Sequence, residues 1–191
     1  MQSFKKISAF AVTLLAVVCF CCTNPVRLNA QTKIVLPKTE SVAQPKYPVK
    51  PVGVVNDFDS LFTKQQRSTL EQLIKRFTDS NGYEFAVVTL RAEPGVKGNL
   101  DSLGTLIADS WGVGSKKYDD GVTIVICAGC REMRIANGLG TAQVLSDQKS
   151  KGIVDNSFLP AFKRGAYFEG VEAGLLELMR QLHGKRPPPS N

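Results

Sequence analysis

From about residue 52 onward, apolar positions alternate between short continuous runs and helical stripes. Val52 to Val55 is a brief apolar run that stops at the turn-forming pair Asn56-Asp57. Thr63 followed by Gln66 has the spacing of a capping box, and Leu70, Leu73, Ile74 and Phe77 recur at helical intervals. These features predict a helix over about 63–79 with one buried stripe, ended in a left-handed conformation at Asn81-Gly82. Glu84 to Leu90 is nearly continuous in apolar residues, the pattern of a strand covered on both faces. Leu100, Leu103, Leu106, Ile107 and Trp111 define a second amphipathic helix with Trp111 in the core, although Gly104 costs about 1 kcal/mol relative to alanine. Val122–Cys127 and 131–136 follow as two strands separated by Ala128-Gly129, close enough for a β-hairpin. The second strand alternates less cleanly and suits a position nearer the sheet edge. Asn137 to Gly140 reads as a loop of small residues. Ile153, Phe158, Leu159 and Phe162 read as one helix that Pro160 kinks or divides. Val171, Leu175, Leu178, Met179 and Leu182 mark a last helix over about 167–182.

Helices alternating with buried strands indicate an α/β layer arrangement in one domain. The flanks do not share its pattern. Lys5 and Lys6 precede an uncharged apolar run from Ile7 to Cys22, and Leu28-Asn29-Ala30 offers a cleavage site before Gln31. Residues 1–30 therefore read as a secretory signal peptide, with a run short of the roughly 20 residues a spanning helix needs. Cys19, Cys21 and Cys22 raise a lipoprotein signal as the rival, but the residues before them lack the small-residue and leucine pattern of a lipobox. Residues 31–51, with Pro37, Pro45, Pro48 and Pro51 among lysines, read as an extended linker. Residues 52–184 are the folded domain, and 185–191, containing Pro187-Pro188-Pro189, a disordered tail. The expectation is a periplasmic or secreted protein with no transmembrane anchor after signal cleavage.

Charge sharpens this picture. The formal net charge is +7, but residues 1–30 carry +3, residues 31–50 carry +3, and Lys185 with Arg186 adds +2. The folded segment is left nearly neutral, so it lacks the basic surface that phosphate-driven nucleic-acid binding requires.

Chemistry concentrates in few places. Asp119-Asp120-Gly121 lies at the mouth of an apolar strand, where carboxylates have no packing role, making them candidates for catalysis or for a cation. Ser-His-Asp and Cys-His catalysis lack a suitably placed base, because the one histidine, His183, stands at the end of the last predicted helix. Cys127-Ala128-Gly129-Cys130 brackets the hairpin turn. A redox dithiol gains reactivity from a helix N-terminus, so a structural disulfide is the first reading here and free thiols the second.

The ordered series Val55-Asn56-Asp57, Trp111-Gly112-Val113-Gly114, Asp119-Asp120-Gly121-Val122, Arg134-Ile135 with Gly138-Leu139-Gly140, Asp147, and Leu159-Pro160-Ala161-Phe162 with Gly165, Tyr167 and Gly170 resembles the TPM-domain family. That family includes bacterial envelope proteins, thylakoid-lumen proteins implicated in photosystem II repair, and a membrane-anchored animal modulator of acetylcholine receptors. The resemblance covers about 52–182. It implies a single-domain α/β sandwich with a central mixed sheet of about four strands flanked by helices. It also implies a divalent-cation site, calcium in the family, and for some plant members an acid phosphatase activity. Many relatives carry a C-terminal transmembrane helix and a glycine-rich tail, and no such segment follows residue 182 here.

On this chain the candidate cation ligands are Asp57, Asp119 and Asp120, with Gly112 and Gly114 as loop contributors through their carbonyls. The alternative is that Asp119-Asp120-Gly121 only makes a turn and Asp57 caps the following helix. Arg134 is expected either to contact phosphate or to pair with Asp119 or Asp120. The functional expectation is a calcium-binding accessory module working with an envelope protein partner. The competing reading is a metal-dependent phosphatase in which a cation at the same acids polarises phosphate and activates water.

Overall fold

A computed structural model describes residues 50–189. The expected signal peptide and most of the expected linker, residues 1–49, lie outside the described residues. The described chain is an α/β fold built on one four-stranded mixed sheet, in the order β1 (Val55–Asp57), β2 (Glu84–Thr89), β3 (Gly121–Cys127) and β4 (Glu132–Asn137). The first three strands are parallel and β4 is antiparallel to β3.

Why the strands sit in this order follows from their composition. All seven residues of β3 are buried, and β2 is buried beyond Glu84, as befits strands covered on both faces. β4 is only partly buried and lies at the sheet edge.

One face of the sheet presents Phe85, Val87, Val122, Ile124 and Ile126. It packs against α1 (Lys64–Asn81), through Leu70 and Ile74, and against α6 (Tyr167–Leu182), through Val171, Leu175, Leu178 and Leu182. The other face presents Val88, Leu90, Val125 and Cys127 to α2 (Leu100–Trp111), through Leu100, Leu103 and Ile107. Gly104 permits this approach, because a Cβ there would come within 3.3 Å of the Ala136 side chain. Trp111 is partly buried against the same cluster, edge-on to Phe58. The strands β1, β2 and β3 advance in one direction, so two right-handed crossovers would leave α1 and α2 on one face. They lie on opposite faces, and one of the two connections therefore has the rarer hand.

The local signals for α1 operate as read. Thr63 and Gln66 cap each other's backbone amides, and Gly82 closes the helix in the left-handed region at φ 81°. The region after β4 departs from the expected loop. Gly138-Leu139-Gly140 opens a helix, α3 (Leu139–Val144), and a second, α4 (Asp147–Ile153), follows it. Around Pro160 the chain stays helical: α4 runs into a π-helical turn, Val154–Phe158, and then into α5 (Leu159–Phe162). Pro160 has no N–H to donate and its ring crowds the carbonyl one turn back, and the wider turn lies immediately before it.

The segment 184–189 has no regular secondary structure, and part of it lies against the domain. Pro187 is buried, the Tyr83 hydroxyl donates to the Lys185 carbonyl, and the Lys185 amide donates to the Leu182 carbonyl at 3.0 Å. Among the described residues, no helix is long and apolar enough to cross a membrane.

Candidate functional site

Parallel pairing decides which candidate acids can meet. Asp57 closes the C-terminal end of β1, in register with Thr89, whereas Asp119 and Asp120 precede β3, whose first residue is in register with Glu84. Six strand positions of about 3.3 Å each separate the two levels, so Asp57 sits at the opposite end of the sheet. The structure does not bring it together with Asp119 and Asp120.

Asp57 instead organises its own turn. Its Oδ1 accepts from the Leu61 amide at 2.9 Å and from the Thr89 hydroxyl at 2.6 Å, and its Oδ2 accepts from the Phe62 amide at 2.9 Å. These bonds hold the loop that leads to the Thr63 cap.

Asp119 is also committed. It sits at φ 48°, and its carbonyl accepts from the amides of Gly140 and Thr141 at 3.1 and 3.2 Å, while Oδ2 accepts from the Leu139 amide at 2.8 Å. One residue thus satisfies three first-turn amides of α3, which have no partner within their own helix. Gly138 and Gly140 are needed for this seat, since a Cβ on either would overlap the backbone of Asp119 or Tyr118.

Asp120 is different. The whole residue is buried, with Oδ1 accepting from the Ser115 amide and hydroxyl at 2.8 and 2.9 Å. Its Oδ2 is buried and has no hydrogen-bond partner. The nearest cation is the Arg186 guanidinium, 3.8 Å away and beyond hydrogen-bonding distance. Arg186 also lies over the Tyr118 ring, 4.0 Å from its centroid. Burial, and after it the Asp120 charge, push the Tyr83 phenol up to about 12, with Arg186 opposing.

The glycine loop shapes this rim. Gly112 caps α2 at φ 65°, and Gly114, at φ 104°, packs on the backbone of Gly121. The Gly114 amide donates to the Glu84 carboxylate at 3.0 Å, which brings a second acid to the loop. Arg134 is elsewhere: its guanidinium pairs with Asp101 of α2, so it neutralises neither Asp119 nor Asp120. The reason is its place in mid-β4, opposite Val125 on the α2 face. Glu84 and Arg186 are the rim residues that sequence reasoning misses. Glu84 reads only as the start of a strand, and Arg186 only as tail charge.

Calcium takes six to eight oxygen ligands, including carbonyls and waters. Among the described residues, no group of three or more His, Cys, Asp or Glu side chains is arranged to hold a metal ion. The orphaned Oδ2 of Asp120 fits a cation as a single anchoring carboxylate, with the remaining ligands left to backbone oxygens, Glu84 and water.

At the other end of β3, Cys127 and Cys130 are at disulfide distance across the hairpin turn, with Cα atoms 5.1 Å apart. Beside them, a cavity of about 600 Å³ is lined by Met133, Phe162 and Tyr167 with Arg131 and Lys163. It lies away from Asp120. His183 is exposed at the end of α6.

A four-stranded mixed sheet between helices, with a glycine loop delivering a buried acid to its rim, defines the fold class. The TPM domain family profile matches residues 55–181, and the chain belongs to the TPM domain family. Among solved structures, the N-terminal domain of a protein from P. gingivalis is 29% identical, with a TM-score of 0.61, and the match covers 70% of this chain and 83% of that one. A protein from the psychrophilic bacterium Bizionia argentinensis shares the fold at 17% identity and a TM-score of 0.59, covering 68% of this chain and 87% of that one. The N-terminal domain of a Corynebacterium glutamicum protein does so at 14% identity and a TM-score of 0.55, covering 73% and 86%. No curated protein matches the chain.

Proposed function

We propose that this chain is an exported TPM domain that binds a divalent cation, calcium by its oxygen donors, at the Asp120 rim of the sheet, and acts as an accessory module for an envelope protein partner. The observation that carries the reading is the buried, unbonded Oδ2 of Asp120. A buried carboxylate oxygen with no donor is costly, and a cation is the ligand that best relieves it. Export is supported by the signal-like N-terminal pattern and by a cysteine pair at disulfide distance, which suits an oxidising compartment.

The test is calcium-dependent thermal stability of the full mature chain. Calcium at millimolar concentration raises the melting temperature of the native protein and leaves that of Asp120→Asn unchanged, because asparagine keeps an acceptor for Ser115 but loses the charge. No rise in the native protein would refute the reading. A phosphate-ester assay in the same preparations is the hydrolytic arm: activity abolished by Asp120→Asn would make the site catalytic.

A further inference from the structure

The segment after α6 occupies the same place a cation would. Lys185 is held by the Tyr83 hydroxyl, Gly184 donates to the Asn81 side chain at 3.4 Å, and Pro187 is buried. These contacts deliver Arg186 to the rim, where its guanidinium lies on Tyr118 and faces the unbonded oxygen of Asp120. Gly82 makes room for it: at φ 81° it ends α1, and a Cβ there would come 3.0 Å from the guanidinium.

We propose that this segment is a latch, in which Arg186 substitutes for the bound cation at Asp120 and must be displaced when a cation enters. The inference rests on the cation reading above and assigns its regulation. Two features fit a displaceable plug rather than a permanent ion pair. The Arg186 side chain is 52% exposed against 1% for Asp120, and the 3.8 Å separation leaves Asp120 compensated in charge but without a hydrogen bond. A divalent ion on Oδ2 repels the guanidinium and takes its space, so the two occupants exclude each other. By linkage, whatever captures the released segment raises cation affinity by the same factor that the cation raises capture. A partner that recognises the Lys185-Arg186-Pro187 segment would then read the calcium state of the domain.

The test compares calcium binding to the full mature chain and to Arg186→Ala by titration calorimetry, with the Lys185 and Arg186 amide resonances followed in the native protein. Removing a half-exposed ion pair and its ring contact tightens calcium binding about fivefold. In the native protein the two amides shift in step with calcium saturation. Equal affinities in the two proteins, or unmoved amides at saturation, overturn the latch while leaving the cation site standing. Absence of calcium binding in both proteins overturns the cation reading and the latch with it.

Discussion

The Thr89 hydroxyl donates to Asp57 Oδ1 across 2.6 Å, at the point where β1 and β2 are in register, and accepts from the Asp59 amide at 3.0 Å. Thr89 is wholly buried, so its hydroxyl ties the first loop to β2 from inside the fold. Thr89→Val keeps the shape and removes both bonds. It is expected to lower unfolding free energy by about 2 kcal/mol, the range for a lost bond to a charged group, as read by denaturant unfolding. Calcium affinity is expected to stay unchanged, because Asp57 lies at the far end of the sheet. A loss of calcium binding would return Asp57 to the cation site.

The seat of Asp119 makes a second prediction, about glycine. Gly140→Ala places a Cβ on the Tyr118 carbonyl, whereas Gly152→Ala in α4 meets nothing within 4 Å. The first substitution should destabilise by about 3 kcal/mol through overpacking. The second should stabilise by up to about 1 kcal/mol through helix propensity. Urea midpoints of the two variants measure the contrast, and equal midpoints would contradict the tight loop–helix contact.

Much of the scaffold is legible because its causes are local. The stripe of Leu70, Ile74 and Phe77, the Thr63 cap and the Gly82 stop all act within one helix, and the continuous apolar runs of β2 and β3 reveal burial on both faces. What escaped is non-local. Strand direction decides that Asp57, after a strand, and Asp120, before one, fall at opposite ends, and no spacing in the sequence encodes that pairing. α3 is short and takes its N-terminal partners from Asp119, twenty positions away, so Gly138-Leu139-Gly140 looks like a loop. Arg186 follows the same logic: a proline-rich composition predicts no regular structure, but says nothing about where one guanidinium is seated.

Alkaline pH offers a third prediction. Tyr83 is raised from 10.0 to about 12, first by burial and then by Asp120. The folded protein holds this proton more tightly than the unfolded chain does. Its contribution is therefore complete below the unfolded value of about 10 and is lost as pH rises towards about 12. The loss is on the order of 2 kcal/mol. Tyr83→Phe should flatten the stability profile across that interval, at the cost of the bond to Lys185. A profile parallel to that of the native protein would show that Tyr83 is not the group responsible.

The central claim, a cation at the Asp120 rim, is tested most directly by a calcium titration of the isotope-labelled mature chain, followed by backbone amide NMR. The account predicts shifts confined to Tyr83–Glu84, Gly114–Gly121 and Lys185–Arg186, saturating at millimolar calcium, with Asp57–Phe62 unmoved. Shifts centred on Asp57–Phe62, or none at all, would contradict it.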